Sequence, residues 1–157
     1  MVAGQESNTE ETVKKEVDNY KNQIDLGIEI LAPSFSYTRK INENIRIGAG
    51  FGFGYSFAPG KRMKFNKSKG IALELLHIGS VIEFKLTDIL YYEFKPQLSI
   101  VSEEFEPDGL AIGLKNGLFI KLSKVKLGLN LTVGKSESDK WLFYIQPLQL
   151  KIPIRHW

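Results

Sequence analysis

The segment from Ile45 to Phe57 constrains the fold of this chain more than any other. It reads I-R-I-G-A-G-F-G-F-G-Y-S-F, with large apolar residues and four glycines at alternating positions. Because side chains of an extended strand alternate between its two faces, one face is aliphatic and aromatic and the other is nearly bare. A soluble sandwich strand would carry charged or hydroxyl groups on that second face, where glycine adds only an entropic cost. The pattern favours a small closed barrel with its large residues facing lipid and its glycines facing a crowded interior.

Length and charge set further limits. The 157 residues suggest a single domain, and a formal net charge of +3 is too small to indicate a nucleic-acid partner. The sequence contains no cysteine, which excludes disulfides and thiolate metal sites. No apolar run reaches the roughly 18 residues that a membrane-spanning helix needs. We therefore expect one domain and no nucleic-acid partner.

The first part of the chain differs from the rest. Ser7 followed by Glu10 fits a helix capping box. A thin apolar stripe at helical spacing follows, at Val13, Val17, Tyr20 and Ile24. This pattern predicts either a short helix that docks on a barrel mouth or partner, or a solvated terminal segment. We assign residues 1–22 to an N-terminal leader, helical or disordered, and residues 23–157 to a β-barrel.

From Gln23 onward the sequence alternates with period two, which predicts strands. The predicted strands cover residues 24–39, 45–57, 71–86, 89–101, 110–122, 125–133 and 141–154. Their connections alternate between short turns near residues 43, 87 and 124 and longer charged segments at residues 58–70, 102–109 and 134–140. Such asymmetry is typical of membrane barrels, which have short turns on one side of the bilayer and longer loops on the other.

Charged residues within the strands fall opposite the aliphatic stripe, and both signs occur. The predicted lumen charge network consists of Arg46, Glu83, Lys85, Glu93, Lys95, Lys115, Lys121 and Lys126. Asp25, Glu29 and Lys151 follow the same alternation. A lysine on the lipid face costs about 2 to 4 kcal/mol at mid-depth, whereas mixed charges in a lumen can pair. Glu74 breaks the rule, and we expect a β-bulge near Leu75 and Leu76 or a position at the rim.

The segment from Tyr37 to Gly50 reads Y-T-R-K-I-N-E-N-I-R-I-G-A-G. It resembles the small, eight-stranded outer-membrane β-barrel proteins of Gram-negative bacteria, in which a strand ending in Tyr-x-Arg, a short Asn-rich turn and a Gly-x-Gly strand recur. The resemblance covers residues 23–157. It implies an antiparallel up-and-down transmembrane barrel in the cell outer membrane, with outer-membrane lipids and other envelope proteins as partners, and it implies no particular activity.

The sequence departs from that resemblance in two respects. Seven strands are predicted, whereas single-chain bacterial barrels have an even number, so an eighth must come from residues 1–38 or from a partner. Members of the group often end in an aromatic residue in phase with the outward stripe. Here Trp157 is out of phase with Ile152 and Ile154.

Catalytic and metal-binding patterns are weak. His77 and His156 are the only histidines, and His77 with Ser80 or Ser99 suggests the serine–histidine chemistry of barrel acyl hydrolases. Ser80, however, falls on the opposite strand face from His77, and neither G-x-S-x-G nor H-E-x-x-H is present. We expect a lumen-facing histidine without a catalytic role. We also expect no enzymatic activity, no cofactor and no metal site.

The sequence therefore predicts an all-β fold, an antiparallel up-and-down transmembrane barrel of about eight strands with a side-chain-filled lumen. We expect a structural or interaction role, such as that of an accessory subunit of an envelope complex. In a basic loop, we expect four residues to contact lipopolysaccharide phosphates: Lys61, Arg62, Lys64 and Lys67. The alternative is that this loop is simply solvated.

The alternative is a soluble calycin-like barrel that turns its aliphatic stripes inward and carries a lipid or other apolar ligand. Four prolines fit poorly in fully paired strands and favour this alternative: Pro33, Pro96, Pro147 and Pro153.

Overall fold

The computed structural model describes residues 20–29, 32–57, 71–103, 106–137 and 141–157. These residues form eight β-strands and no helix. The strands are β1 Asn22–Glu29, β2 Ala32–Lys40, β3 Ile45–Phe57, β4 Ile71–Lys85, β5 Leu90–Glu103, β6 Glu106–Leu122, β7 Val125–Ser136 and β8 Trp141–His156. The expected helical or disordered leader covers residues 1–22, of which residues 1–19 lie outside the described part of the chain. Asn22 already belongs to β1.

The sheet is a closed antiparallel barrel in which each strand pairs with the next. It closes where β1 pairs with β8, for example Leu26 with Ile152. Beyond the short β1–β2 hairpin, β3 meets β8 directly at Phe57 and Ile145. The all-β, eight-stranded, up-and-down architecture predicted from the sequence is therefore confirmed.

The eighth strand comes from within the chain. Residues 24–39 were expected to form one strand, but they form two, β1 and β2, paired from Glu29 with Ala32 to Asn22 with Arg39. Buried positions are odd-numbered in β1 and even-numbered in β2, so the phase of the alternation changes between these strands. The apolar run at residues 30–33, which reads I-L-A-P, hides this change of phase in the sequence.

The two ends of the barrel differ. One end carries the connections at residues 41–44, 86–89 and 123–124, and we call it the turn end. Both chain ends of the barrel meet there, since the backbone N–H of Asn22 donates to the carbonyl of Trp157 at 2.9 Å. The opposite end, the loop end, carries the other four connections. The predicted loops at 102–109 and 134–140 were too long, because β5, β6 and β7 extend into them.

The barrel wall has a polar inner face and an apolar outer face. On β6, Lys115 is 1% exposed while the preceding Leu114 is 45% exposed. On β7, Asn130 is fully buried while the preceding Leu129 is 49% exposed. The aliphatic stripe therefore faces outward and the charged residues face the lumen.

Glycine makes this interior possible where strands approach closely. A β-carbon added to Gly48 would overlap the backbone carbonyl of Tyr37 on the neighbouring strand. A β-carbon on Gly128 would lie 2.8 Å from Cγ of Phe119, whose ring is fully buried in the lumen. Real β-carbons do not approach other atoms so closely, so the bare face of the glycine strand reflects crowding, as the sequence suggested.

Bulges interrupt the pairing at defined positions. The register shifts between Glu74 and Leu76 on β4, which confirms the bulge expected there. On β8, the register shifts where Pro147 and Leu148 face the single residue Leu129. A third shift follows Pro153. Two of the four prolines thus lie at bulges, where a missing N–H is tolerated.

The bulge after Pro153 also corrects the expectation for Trp157. Ile152 pairs with Leu26 and Arg155 pairs with Ile24, so one extra residue on β8 reverses the phase. The ring of Trp157 lies 6.3 Å from that of Tyr37, an exposed residue of the outer face. Trp157 is therefore in phase with the outward stripe.

Candidate functional site

The centre of the lumen contains a buried carboxylate between two lysines. Glu93 and Lys95 lie two residues apart on β5, so both point inward, with Lys95 Nζ 2.8 Å from Glu93 Oε1. Lys151 reaches across from β8 and binds Glu93 Oε2. The Nζ atom of Lys151 also lies 4.9 Å from the centre of the Phe119 ring, a cation–π contact. One carboxylate thus holds β5 and β8 together through the interior.

A second buried pair joins β1 to β6. Lys115 Nζ lies 3.0 Å from Glu29 Oε2, and both side chains are excluded from solvent. The other oxygen of Glu29 accepts a hydrogen bond of 2.6 Å from Gln149 Nε2. Asn130 in turn donates to Gln149 and, at 3.3 Å, to Gln146. The result is a continuous polar network across four strands, in which the members polarise one another.

A third pair lies nearer the turn end. Lys126 Nζ is 2.6 Å from Glu83 Oε2 and 4.1 Å from the centre of the Tyr91 ring. Arg46, expected in the same network, donates from Nη2 to the carbonyl oxygen of Tyr20 at 2.9 Å. Two small cavities, of ≈ 20 Å³ and ≈ 30 Å³, border this part of the lumen. Cavities of this size hold only a few water molecules.

The predicted network residues occupy different positions. Five lie in lumen ion pairs, namely Glu83, Glu93, Lys95, Lys115 and Lys126. Lys85 instead pairs with the exposed Asp88 in the β4–β5 turn at 2.9 Å. Lys121 lines the ≈ 30 Å³ cavity at the turn end. The proposed lipopolysaccharide contacts Lys61, Arg62, Lys64 and Lys67 all lie outside the described residues.

Several lumen residues were missed or left aside by the sequence analysis. Glu29 and Lys151 carry ion pairs, and their alternation with the aliphatic stripe was already a sufficient signal. The amides Asn130, Gln146 and Gln149 were missed as a network. Gln146 and Gln149 are three residues apart, because the bulge at Pro147 and Leu148 separates them. Period-two reasoning cannot place both inward without that bulge.

The suggested serine–histidine arrangement is only partly assembled. His77 is buried in the lumen, while Ser80 is exposed on the outer face, so these two residues do not meet. Ser99 occupies the position directly opposite His77 on β5. Its hydroxyl accepts a hydrogen bond of 2.9 Å from Gln97 Nε2. Within the described part of the chain, no group of three or more potential metal ligands occurs.

The outer face carries aromatic residues near both ends of the barrel. At the turn end, the rings of Phe84 and Tyr92 lie 6.0 Å apart, and Tyr37 donates its hydroxyl to Asn22 Oδ1 at 2.9 Å. Trp141 is exposed at the loop end. Amphipathic aromatic residues at two levels of a barrel wall are typical of membrane–water interfaces.

An apolar groove of ≈ 430 Å³ lies on the outer face between these levels. Its floor is formed where Ala49 and Gly50 lack large side chains. Its walls include Phe35 and Phe51, whose rings stack at 5.5 Å. The groove is open to the surroundings, unlike the small polar cavities of the lumen.

Comparison with known proteins identifies no relative: no protein-family model, curated protein or solved structure matches this chain. A search of the described segments for a helix long and apolar enough to cross a membrane finds none. We therefore infer the function from the geometry of the barrel itself.

Proposed function

We propose that this chain is an integral outer-membrane β-barrel with a side-chain-filled lumen and a structural or interaction role. The observation that carries the proposal is the polarity of the wall, apolar outside and charged inside. Exposed leucines and isoleucines recur along β6, at Leu110, Ile112, Leu114, Leu118, Ile120 and Leu122. Asn116, whose side-chain oxygen accepts a hydrogen bond from the Tyr92 hydroxyl, is the one polar residue in this row. Water contact with such an apolar belt is unfavourable by about 25 cal/mol per Å², whereas lipid contact is not.

The height of the belt supports a bilayer as its surroundings. From Leu110 to Leu122 the strand advances by twelve residues. At about 3.3 Å per residue and a tilt of about 40°, this is roughly 30 Å along the barrel axis. The apolar band of membrane barrels is about 25 Å tall. The aromatic residues at both ends then fall near the two interfaces.

The arrangement of the ends supports an orientation. Membrane barrels place their short turns on the periplasmic side. On this proposal the turn end, with Trp157 and the start of β1, faces the periplasm. The basic connection at residues 58–70 belongs to the loop end and then lies on the lipopolysaccharide side. We propose Lys61, Arg62, Lys64 and Lys67 as contacts to its phosphates.

The lumen argues for an interaction role over transport. Buried ion pairs and amides occupy the interior, and the turn-end cavities described above are too small for a solute path. Barrels of this strand number characteristically fill their lumen with side chains. The partners then bind at the outer wall or the loops, and we propose outer-membrane lipids and other envelope proteins, with this chain as an accessory subunit.

The calycin-like alternative expects an apolar interior for its ligand. The described lumen is instead lined by residues such as Glu29, Glu93 and Lys115, which an apolar ligand would have to desolvate. The charged lining of the lumen therefore supports the membrane barrel. The membrane-association experiment below distinguishes it from the calycin-like alternative.

Membrane association tests the proposal. The full chain, expressed in a Gram-negative host with a secretion signal, should pellet with outer membranes and resist carbonate extraction. It should also show heat-dependent gel mobility, because a closed barrel resists unfolding in detergent at room temperature. A monomer that stays soluble without detergent would support the calycin-like alternative instead.

A further inference from the structure

Two arginines lie on the outer face of the barrel, beside the turn-end edge of the apolar groove. Arg39 follows Tyr37 by two residues on β2, so both side chains point outward, and Tyr37 lines the groove. Arg155 on β8 is paired with Ile24, which also lines the groove. Both arginines are exposed, and neither forms an ion pair with any residue that the structure describes. The groove therefore ends at a cationic edge, formed by Arg39 and Arg155.

The two arginines flank the same short stretch of β1. Arg39 is paired with Asn22 from one side, and Arg155 is paired with Ile24 from the other. The guanidinium carbon of Arg155 lies 5.2 Å from the centre of the Trp157 ring, and Trp157 is hydrogen-bonded to Asn22 through its backbone. This contact holds the Arg155 guanidinium towards the level of Arg39. At strand spacings of about 4.8 Å, the two Cα atoms are roughly 12 Å apart, so a phosphate over β1 is within reach of both long side chains.

The carboxylates that the structure describes at the turn end face elsewhere. Asp88 pairs with Lys85 in the β4–β5 turn. Glu43 borders a small lumen cavity together with Lys40. Asp25 is buried inside the barrel. The cationic edge is therefore presented to whatever lies against the outer wall at this level.

We propose that the groove and its cationic edge bind one anionic phospholipid, with an acyl chain in the groove and the headgroup phosphate between Arg39 and Arg155. This site rests on the proposed function, in which the turn end lies at a bilayer interface. The groove volume of ≈ 430 Å³ falls within the range of about 300 to 1,000 Å³ typical of small-ligand sites. Its walls include Phe35, Phe51 and Ile78, which suit an alkyl chain. Guanidinium groups bind phosphate oxygens through charge-assisted hydrogen bonds.

A second copy of the chain fits this surface less well than a lipid does. In a symmetric dimer the same patch of each copy faces the other. Two copies in one bilayer sit at the same depth, so the two cationic edges would meet, and like charges brought together oppose association. An anionic lipid instead supplies the opposite charge.

Quenching of tryptophan fluorescence by lipids with brominated acyl chains tests the site, because Trp157 lies beside the cationic edge. The full chain carries Trp141→Phe, which leaves Trp157 as the only tryptophan. It is reconstituted into mixtures of phosphatidylglycerol and phosphatidylcholine in which one of the two lipids is brominated. We expect the apparent affinity for phosphatidylglycerol to exceed that for phosphatidylcholine by about fivefold or more, because only the former has a net negative charge.

Substitutions then locate the bound lipid. Arg39→Gln should lower the preference for phosphatidylglycerol by about threefold or more. Lys124→Gln, the same charge change in the exposed β6–β7 turn, should leave it nearly unchanged. Ala49→Leu fills the floor of the groove from an exposed position and should lower the preference by about twofold or more. Leu118→Phe, an enlargement on the outer face of β6, is its control and should have no effect.

Different failures have different meanings. Equal quenching by the two lipids, in heat-modifiable protein, would overturn the lipid site and leave the membrane location intact. Equal losses in the Arg39 and Lys124 variants would also overturn it, since they would indicate general attraction to net charge. A chemically cross-linked dimer in which neither lipid quenches Trp157 would assign the groove to a second copy. Folded protein that stays soluble without detergent would overturn both the site and the proposed function.

Discussion

Single buried charges stabilise this barrel through specific partners. Glu93 is the common partner of Lys95 and Lys151 at the centre of the lumen. Replacing one partner of a buried ion pair leaves the other charge uncompensated, which costs about 3 to 5 kcal/mol. The buried pair of Glu93 and Lys151 therefore couples the stability of β5 to that of β8.

Glu93→Gln should lower the free energy of unfolding by about 3 to 5 kcal/mol, because two ammonium groups lose their carboxylate. Urea titration of the refolded protein, followed by tryptophan fluorescence, measures the change. Glu43→Gln, in the exposed β2–β3 turn, is the control and should shift stability by no more than about 0.5 kcal/mol. If Glu93→Gln lowered the free energy of unfolding as little as Glu43→Gln does, the ion pairs of the lumen would contribute little to stability.

The destabilisation caused by a charge on the outer face should depend on the depth of that charge in the bilayer. Leu114→Lys, near the middle of the belt, should destabilise the vesicle-reconstituted barrel by about 2 to 4 kcal/mol, and Leu122→Lys, at the turn end, by about 0 to 1 kcal/mol. Both leucines are exposed on the same strand, so exposure alone predicts no difference. Unfolding titrations of both variants in phosphatidylcholine vesicles give the comparison. Two small and equal changes would indicate a wall that faces water.

Strand packing depends on glycine where two strands leave no room for a β-carbon. Gly48→Ala should cost on the order of 1 to 3 kcal/mol, because its β-carbon overlaps the backbone of Tyr37. Gly113→Ala is the matched control, because the nearest atom to its added β-carbon is the carbonyl oxygen of Val133, at 3.3 Å. Denaturant midpoints of the two variants measure the contrast. A larger loss at Gly113 would contradict the register between β2 and β3.

Regular strands were predictable from the sequence, and irregular ones were not. Period-two alternation predicted β3, β5 and β7 because no extra residue interrupts the alternation of their side chains at the centre of these strands. The β1–β2 hairpin was hidden because the phase changes within an apolar run that contains no glycine turn signal. The inward position of Gln146 and the outward position of Trp157 were hidden by bulges, which reverse the phase by one residue.

The candidate site was likewise predictable only in part. Alternation indicated which charged residues point away from the aliphatic stripe. It could not indicate their partners, because partners depend on how strands across the lumen are staggered. Glu29 and Lys115, for example, are separated by 86 residues in sequence and meet only in the closed barrel.

For the whole molecule, the central claim is that the apolar outer wall contacts lipid. The absence of cysteine makes this directly measurable, since a single introduced cysteine is the only labelling site. Leu129→Cys reports on the middle of the wall, and Ser123→Cys on the exposed β6–β7 turn. Each variant is spin-labelled and reconstituted into phosphatidylcholine vesicles.

Collision of the label with oxygen, which concentrates in lipid, is then compared with collision with a water-soluble nickel chelate. If the outer wall contacts lipid, the label at position 129 should be more accessible to oxygen and nearly inaccessible to nickel, while the label at position 123 should show the reverse. Equal and high nickel accessibility at both positions, in protein that is folded, would contradict contact between the wall and lipid.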